Sequence, residues 1–230
     1  GDELDDWRRN GVEAALAHLT RSLALPLTLH GPIFGFDPAS RDKATRELAK
    51  KRVLEAFETV DFAGPSLIVF HSSYNNYSHA ADPERFIDDT CRFWDELLGE
   101  LPKGPTLLAI ENIYDADPRP LANVLDTLNH PRMGFCFDIG HWHCFGRQLD
   151  LEAYLALIGR RLIHLHLHDN HGTQDSHLPA GWGAIDFSGL WRFLEDHPRP
   201  FSLTVEGKNI ADNLAGARFV RHSAGPDLLR

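Results

Sequence analysis

The chain has 230 residues, 43% hydrophobic and 24% charged, which gives enough apolar content for one sizeable core and argues against disorder. A formal net charge of −10 sets most of the surface against a phosphate backbone and weighs against a protein that grips long nucleic acid. No apolar run approaches a membrane span and no charged-then-greasy leader opens the chain. Three cysteines, Cys91, Cys136 and Cys144, suggest neither a disulfide framework nor a thiolate knot. A single cytoplasmic domain over 1–230 is therefore expected.

Residues 2–24 read as a helix, with Val12, Leu16, Leu19 and Leu23 at helical spacing and Pro26 ending it. Residues 25–32 form a short apolar run closed by Gly-Pro, with Leu27 and Leu29 on one face and Thr28 and His30 on the other. A charged periodic stretch over 41–61 offers Leu48, Val53, Phe57 and Val60 as a buried stripe. A second strand over 66–74 turns Ile68 and Phe70 one way and Leu67, Val69 and His71 the other. Pro83 opens a helix to Leu101 that carries Phe86, Phe93, Trp94 and Leu97. In the strand over 106–114, Leu107, Ala109 and Glu111 share a face, and in the strand over 133–143 so do Gly134, Cys136 and Asp138. A helix around Leu121, Val124, Leu125 and Leu128 separates these two strands, and one through Tyr154, Leu155 and Ile158 follows them.

The stretch from Leu162 to His177 is the most unusual in the chain. Its alternation predicts a strand with Ile163, Leu165 and Leu167 on one face and His164, His166 and His168 on the other. A polar loop with Asp169, Asn170, Asp175 and His177 follows. After a helix through Phe187, Leu190, Trp191 and Leu194, a last strand over 201–208 sets Ser202, Thr204 and Glu206 opposite Leu203 and Val205. Residues 209–230, with Arg218, Arg221 and His222, are left to close the fold or meet a partner.

Helices alternating with strands point to βα units around a parallel sheet. If the sheet is a barrel, its outer face must be apolar against helices, and its inner face ends at the rim where such folds place their chemistry. Read to their C-terminal ends, the inward faces deliver His30, His71, Glu111, Asp138, His166 and Glu206 to one rim. His141, Asp175 and His177 stand just beyond strand ends and complete a set of nine. Imidazoles and carboxylates converging in this way predict a divalent metal centre, with zinc or manganese the best fit. His164 is expected to lie too deep for it, and His143, His168 and His171 to sit behind it or in solvent.

These motifs, namely His30-Gly-Pro, His71, Glu111-Asn112, Asp138-Ile-Gly-His141, His166-Leu-His-Asp169-Asn170, Asp175-Ser-His177, the stretch from Pro179 to Phe187, and Glu206, resemble the xylose isomerase-like barrel superfamily. That group holds sugar and sugar-phosphate isomerases and epimerases, inositol-catabolism enzymes and endonuclease IV. The resemblance implies an α/β fold of the (β/α)8 TIM-barrel type, of which the first two strands are missing here. In the isomerase and epimerase branch it implies that Glu111, Asp138, His166 and Glu206 hold one ion while Glu111 and Glu206 carry a proton. In the endonuclease IV branch it implies three zinc ions on all nine residues. Asn112, His168 and Trp182 are the expected substrate contacts. Trp182 stands where a glutamate often sits between the two glycines of the loop, a departure that bears on substrate identity.

Rim loops with few Lys or Arg, Arg147 being the nearest after Asp138, favour a small carbohydrate over a polyanion. The preferred expectation is a metal-dependent sugar or sugar-phosphate isomerase or epimerase. A multi-zinc phosphodiesterase is the alternative, and a metal-binding barrel without catalysis the third reading. No nucleic-acid or membrane partner is expected, and a homo-oligomer is left open.

Overall fold

A computed structural model of the chain describes residues 10–23 and 26–225. Six strands, β1 (Thr28–His30), β2 (Leu67–His71), β3 (Leu107–Glu111), β4 (Met133–Asp138), β5 (Leu162–Leu167) and β6 (Ser202–Val205), pair in parallel in chain order. The helices are α1 (Val12–Leu23), α2 (Lys43–Glu58), α3 (Val60–Ala63), α4 (Asn76–His79), α5 (Pro83–Glu100), α6 (Arg119–Leu128), α7 (Ile139–His141), α8 (Leu151–Ile158), α9 (Ser188–Glu195) and α10 (Ile210–Ser223). A π-turn covers Trp142–Gly146 and a 3-10 turn Gly159–Arg161. Of the helix expected over 2–24, residues 2–9 and 24 lie outside the described residues. No helix among the described residues is long and apolar enough to cross a membrane.

The sheet curls until its two edges face each other. Thr28 on β1 and Thr204 on β6 bring their hydroxyl oxygens within 3.3 Å, a side-chain contact in place of the main-chain ladder that would close a barrel. The fold is thus a TIM-type α/β barrel with six strands and no seventh or eighth among the described residues. Its outward face carries Ile68, Phe70, Leu108, Ile110, Phe135, Phe137, Leu165 and Leu167, all buried against helices in one continuous core. Each such side chain contributes roughly 1.5–3 kcal/mol of burial. Helix α5 illustrates how the outer layer forms: Asp82 caps its first turn by accepting from Arg85 N at 3.3 Å, Pro83 sets the entry, and Phe86, Phe93, Trp94 and Leu97 turn inward. Phe70 and Trp94 meet edge-on with ring centroids 5.6 Å apart.

Two expectations are corrected by the sheet. Ile163 does not share a face with Leu165 and Leu167. Phe135 pairs with Leu162 and Cys136 with His164, so Ile163 is an extra residue in the register. That bulge lets Leu162 join the outer core while Ile163 packs with Leu67, Val69, Ala109 and Cys136 on the inside. The strands are also shorter than the apolar runs. In 133–143 the strand stops at Asp138, because the Asp138 carboxylate accepts from His141 N at 2.7 Å and starts α7 at once.

Candidate metal centre

The C-terminal ends of the six strands gather all nine of the ligand-type residues into one connected cluster. Glu111, at the end of β3 and only 1% exposed, lies at its centre. Its Oε2 is 3.1 Å from His30 Nε2 and 3.4 Å from His71 Nε2. Its Oε1 is 2.9 Å from His166 Nδ1 and 3.4 Å from His141 Nδ1. The same Nδ1 of His166 is 3.2 Å from Glu206 Oε1 and 3.9 Å from Asp138 Oδ2. Glu111, Asp138, His166 and Glu206 therefore face one another across the barrel mouth.

A second group adjoins the first. His141 Nε2 is 3.3 Å from Asp175 Oδ2, and His177 Nε2 is 3.2 Å from the same oxygen. His168, placed by its sequence motif among substrate contacts, is instead fully buried, with Nε2 3.0 Å from Asp138 Oδ1 and 3.6 Å from Asp175 Oδ1. It continues the inward parity of His164 and His166, which was the signal for this position. His177 stacks on it with centroids 3.9 Å apart and planes 8° from parallel. His177 adopts a positive φ of 44°, a backbone strain of the kind held at functional sites.

The polar atoms behind the cluster are arranged as metal ligands require. His30 Nδ1 donates to Gly31 O at 2.7 Å, His141 Nδ1 to Asn112 O at 2.9 Å and His177 Nδ1 to Glu206 O at 3.3 Å. Each bond fixes the ring and turns Nε2 into the cluster, the orientation that metal-binding histidines adopt. Asp138 Oδ2 and Asp175 Oδ1 are buried without a hydrogen-bond partner among the described residues. Orphaned lone pairs converging on one space fit a cation. Groups close enough to share an ion are His141, His168, Asp175 and His177; Asp138, His168 and Glu206; Glu111, Asp138 and His141; and His30, Glu111 and His166.

Asn112 also departs from the expected substrate contact. It is buried, its Nδ2 donates to Asp138 O at 2.9 Å, and its Oδ1 accepts from Asp138 N at 3.0 Å. The amide thus clamps the main chain of the next strand. Trp182 remains in the open, 66% exposed, on a loop that Asp169 holds down. The Asp169 carboxylate accepts from Asn170 N at 2.8 Å, Ile185 N at 3.1 Å and Gly181 N at 3.1 Å. Gly183 is required there, since a Cβ would come within 2.3 Å of Asp169 Oδ1. Asn170 does the same for the turn after β4: its Nδ2 donates to Gly140 O at 2.9 Å and its Oδ1 accepts from His143 Nδ1 at 2.6 Å.

The field of the site separates the two glutamates. Burial alone would push the Glu111 carboxyl up, but His166, His141 and His30 together hold it well below the usual carboxylate range. Glu206 is 24% exposed at its side chain, and burial, with the charges of Asp138 and Glu111, raises its carboxyl against the pull of His166. His71, partly buried, falls to about 4 through desolvation, whereas His141 rises to about 12 because Asp138, Asp175 and Glu111 outweigh its burial.

The chain resembles two proteins of Methanocaldococcus jannaschii, both uncharacterized. It is 25% identical to MJ1311 over 203 residues, 86% of this chain and 69% of that protein. It is 25% identical to MJ1614 over 211 residues, 90% of this chain and 81% of that protein. Among solved structures it superposes on a D-tagatose 3-epimerase-like protein with a TM-score of 0.79 and 23% identity, over 92% of this chain and 81% of that one. A Thermus thermophilus protein, TTHB071, soaked with ZnCl2, gives a TM-score of 0.71 and 25% identity over 94% and 83% of the two chains. A D-psicose 3-epimerase, in the presence of D-fructose, gives 0.67 and 17% over 93% and 84%. The profile of the xylose isomerase-like TIM barrel matches residues 2–222, and the chain belongs to that family.

Proposed function

We propose that the protein is a divalent-metal-dependent isomerase or epimerase of a sugar or sugar phosphate, with Glu111, Asp138, His166 and Glu206 holding the ion. The observation that carries this reading is the pair of glutamates that meet at one nitrogen of His166 with opposite proton affinities. Two titratable groups pushed apart in this way are suited to the two halves of a proton transfer. Glu111 stays ionised at the floor of the site, while Glu206, nearer the opening, is the better carrier of a proton between the faces of a substrate carbon. A bound zinc or manganese ion would supply Lewis-acid polarisation of the adjacent carbonyl and hydroxyl. His30, Asp175 and His177, together with His71 and His141, offer ligands for further ions beside it. Family members of known structure named for D-tagatose and D-psicose epimerisation support the carbohydrate class.

A second reading has its own support. The ligands fall into several adjoining groups rather than one, as a multi-ion phosphodiesterase would need. One experiment separates the two. Metal-loaded protein incubated in deuterated water with a panel of ketoses and their phosphates is expected to incorporate deuterium beside the carbonyl, and Glu206→Ala to abolish this. Absence of exchange with every sugar, together with metal-dependent cleavage of an abasic duplex, would replace the isomerase reading with the hydrolytic one.

A further inference from the structure

One layer below the rim, beside the apolar cluster of Leu67, Val69, Ala109 and Ile163 that fills the barrel interior, three donor side chains lie together. Cys136, His164 and His166 are all buried there, at 0%, 0% and 3% exposure, and each offers a ligand atom within 4.8 Å of the others. The rings of His164 and His166 stand edge to face with centroids 5.1 Å apart. His164 is held by two hydroxyls, Ser202 Oγ at 2.7 Å from Nδ1 and Thr204 Oγ1 at 3.2 Å from Nε2. Hydroxyls rotate to donate or accept, so either ring nitrogen of a neutral His164 can give up its partner to an ion.

We infer that Cys136, His164 and His166 form a thiolate–imidazole site for a soft, thiophilic ion such as Cd2+, which shares only His166 with the oxygen-rich group above it. One sulfur with two imidazoles is the donor set that borderline and soft ions prefer, whereas carboxylates suit manganese and magnesium. Binding forms a sulfur–metal bond, and the thiol proton leaves to solvent without any change of oxidation state. His166 belongs to both donor sets. A neutral imidazole presents one lone pair, so His166 serves one ion at a time. Occupation of the lower site leaves His166 with no lone pair for an ion at Glu111 and Glu206, and the barrel thereby sorts ions: hard ones rest at the rim, and soft, thiophilic ones sink and weaken it.

The test uses metal-stripped protein titrated with Cd2+, followed by thiolate-to-cadmium charge-transfer absorption, and with Mn2+ followed by electron paramagnetic resonance. The band is expected in the wild type and in Cys91→Ser and Cys144→Ser, and its loss is expected in Cys136→Ser. Bound Mn2+ should be released by Cd2+ in the wild type at concentrations about tenfold lower than in Cys136→Ser. The inference is overturned if the band persists in Cys136→Ser, if it vanishes in Cys144→Ser, whose thiol lies near Asp175 and His141, or if Cd2+ displaces Mn2+ equally from both proteins. Should Cys136→Ser not fold, His164→Gln decides, since it keeps the thiol. A cadmium midpoint weakened about tenfold supports the site, and an unchanged midpoint removes it.

Discussion

Gly140, in the turn between Asp138 and His141, gives a sharp test of how the second ligand group is built. An added Cβ would lie 1.9 Å from His168 Cε1 and 2.4 Å from both ring nitrogens. Normal contact begins about 1.5 Å further out, and the ring cannot simply swing aside, because it is fully buried and stacked on His177 at 3.9 Å. Gly140→Ala must therefore expel His168 or displace the turn. Overpacking of this kind costs about 2 kcal/mol, which lowers the melting temperature of a chain this size by about 4–8 °C. Expelling His168 also removes one nitrogen from the group with His141, Asp175 and His177, so the metal content of purified protein should fall while the ion at Glu111 and Glu206 is retained. Adding His168→Ala to Gly140→Ala should recover most of the lost stability without restoring the metal, a coupling that a double-mutant cycle measures. Calorimetry and elemental analysis are the assays. A single variant that melts within a degree of the wild type with its full metal complement would refute the argument.

Two further predictions concern the frame of the site. Asp169→Ala removes the acceptor of the main-chain N–H groups of Asn170, Gly181 and Ile185, of which Asn170 and Ile185 are buried, and at 1–3 kcal/mol for each buried unsatisfied donor the loss is about 2 kcal/mol or more; urea unfolding and faster amide exchange over 180–185 should report it, and exchange unchanged there would contradict the anchoring role. In chelator-treated protein, His141, raised to about 12, contributes stability that is complete below about 6.5 and drains away as pH climbs. His71 and His164, lowered to about 4 and about 3 by burial, oppose folding as pH drops below about 6.5, and Glu111 and Asp175, both lowered, lose their contribution in acid. Melting temperature of the metal-free protein should thus peak between about pH 5 and 7 and fall on both sides, and a monotonic rise toward pH 9 would count against these shifts.

Much of this arrangement is readable from local pattern, because a strand alternates its side chains strictly. Ile68 and Phe70 face out and His71 faces in for no reason beyond that period, and the same holds for Glu111, Asp138 and Glu206. The exceptions arise where a residue's position depends on its neighbour strand. Ile163 fits the alternation of β5 perfectly, yet the register with β4 slips beside it, and nothing within Leu162–Leu167 announces that slip. Asn112 and Asp169 look like mouth residues because both follow a strand end with a polar side chain. Only the paths of the main chain around them show that their oxygens and nitrogens are consumed by backbone groups. The pairing of Thr28 with Thr204 is beyond local reading altogether, since it joins residues at opposite ends of the sheet.

The supports of the imidazoles also determine how substitutions will combine. The carbonyl that orients His141 belongs to Asn112, the neighbour of Glu111, and the amide of the same residue clamps Asp138. The carbonyl that orients His177 belongs to Glu206. His141 and His177 are therefore each aimed by a strand end that carries another candidate ligand. Truncating a ligand removes a donor atom but leaves these main-chain supports in place, so its neighbours keep their aim. Moving a strand end shifts a ligand and the carbonyl behind a second ligand together. Side-chain truncations should still be non-additive where ligands share a partner, as His30, His71, His141 and His166 share Glu111, while a change at Asn112 should cost both His141 and Asp138 at once. The clamp, though it meets no ion itself, is the position where the two ligand groups are mechanically one.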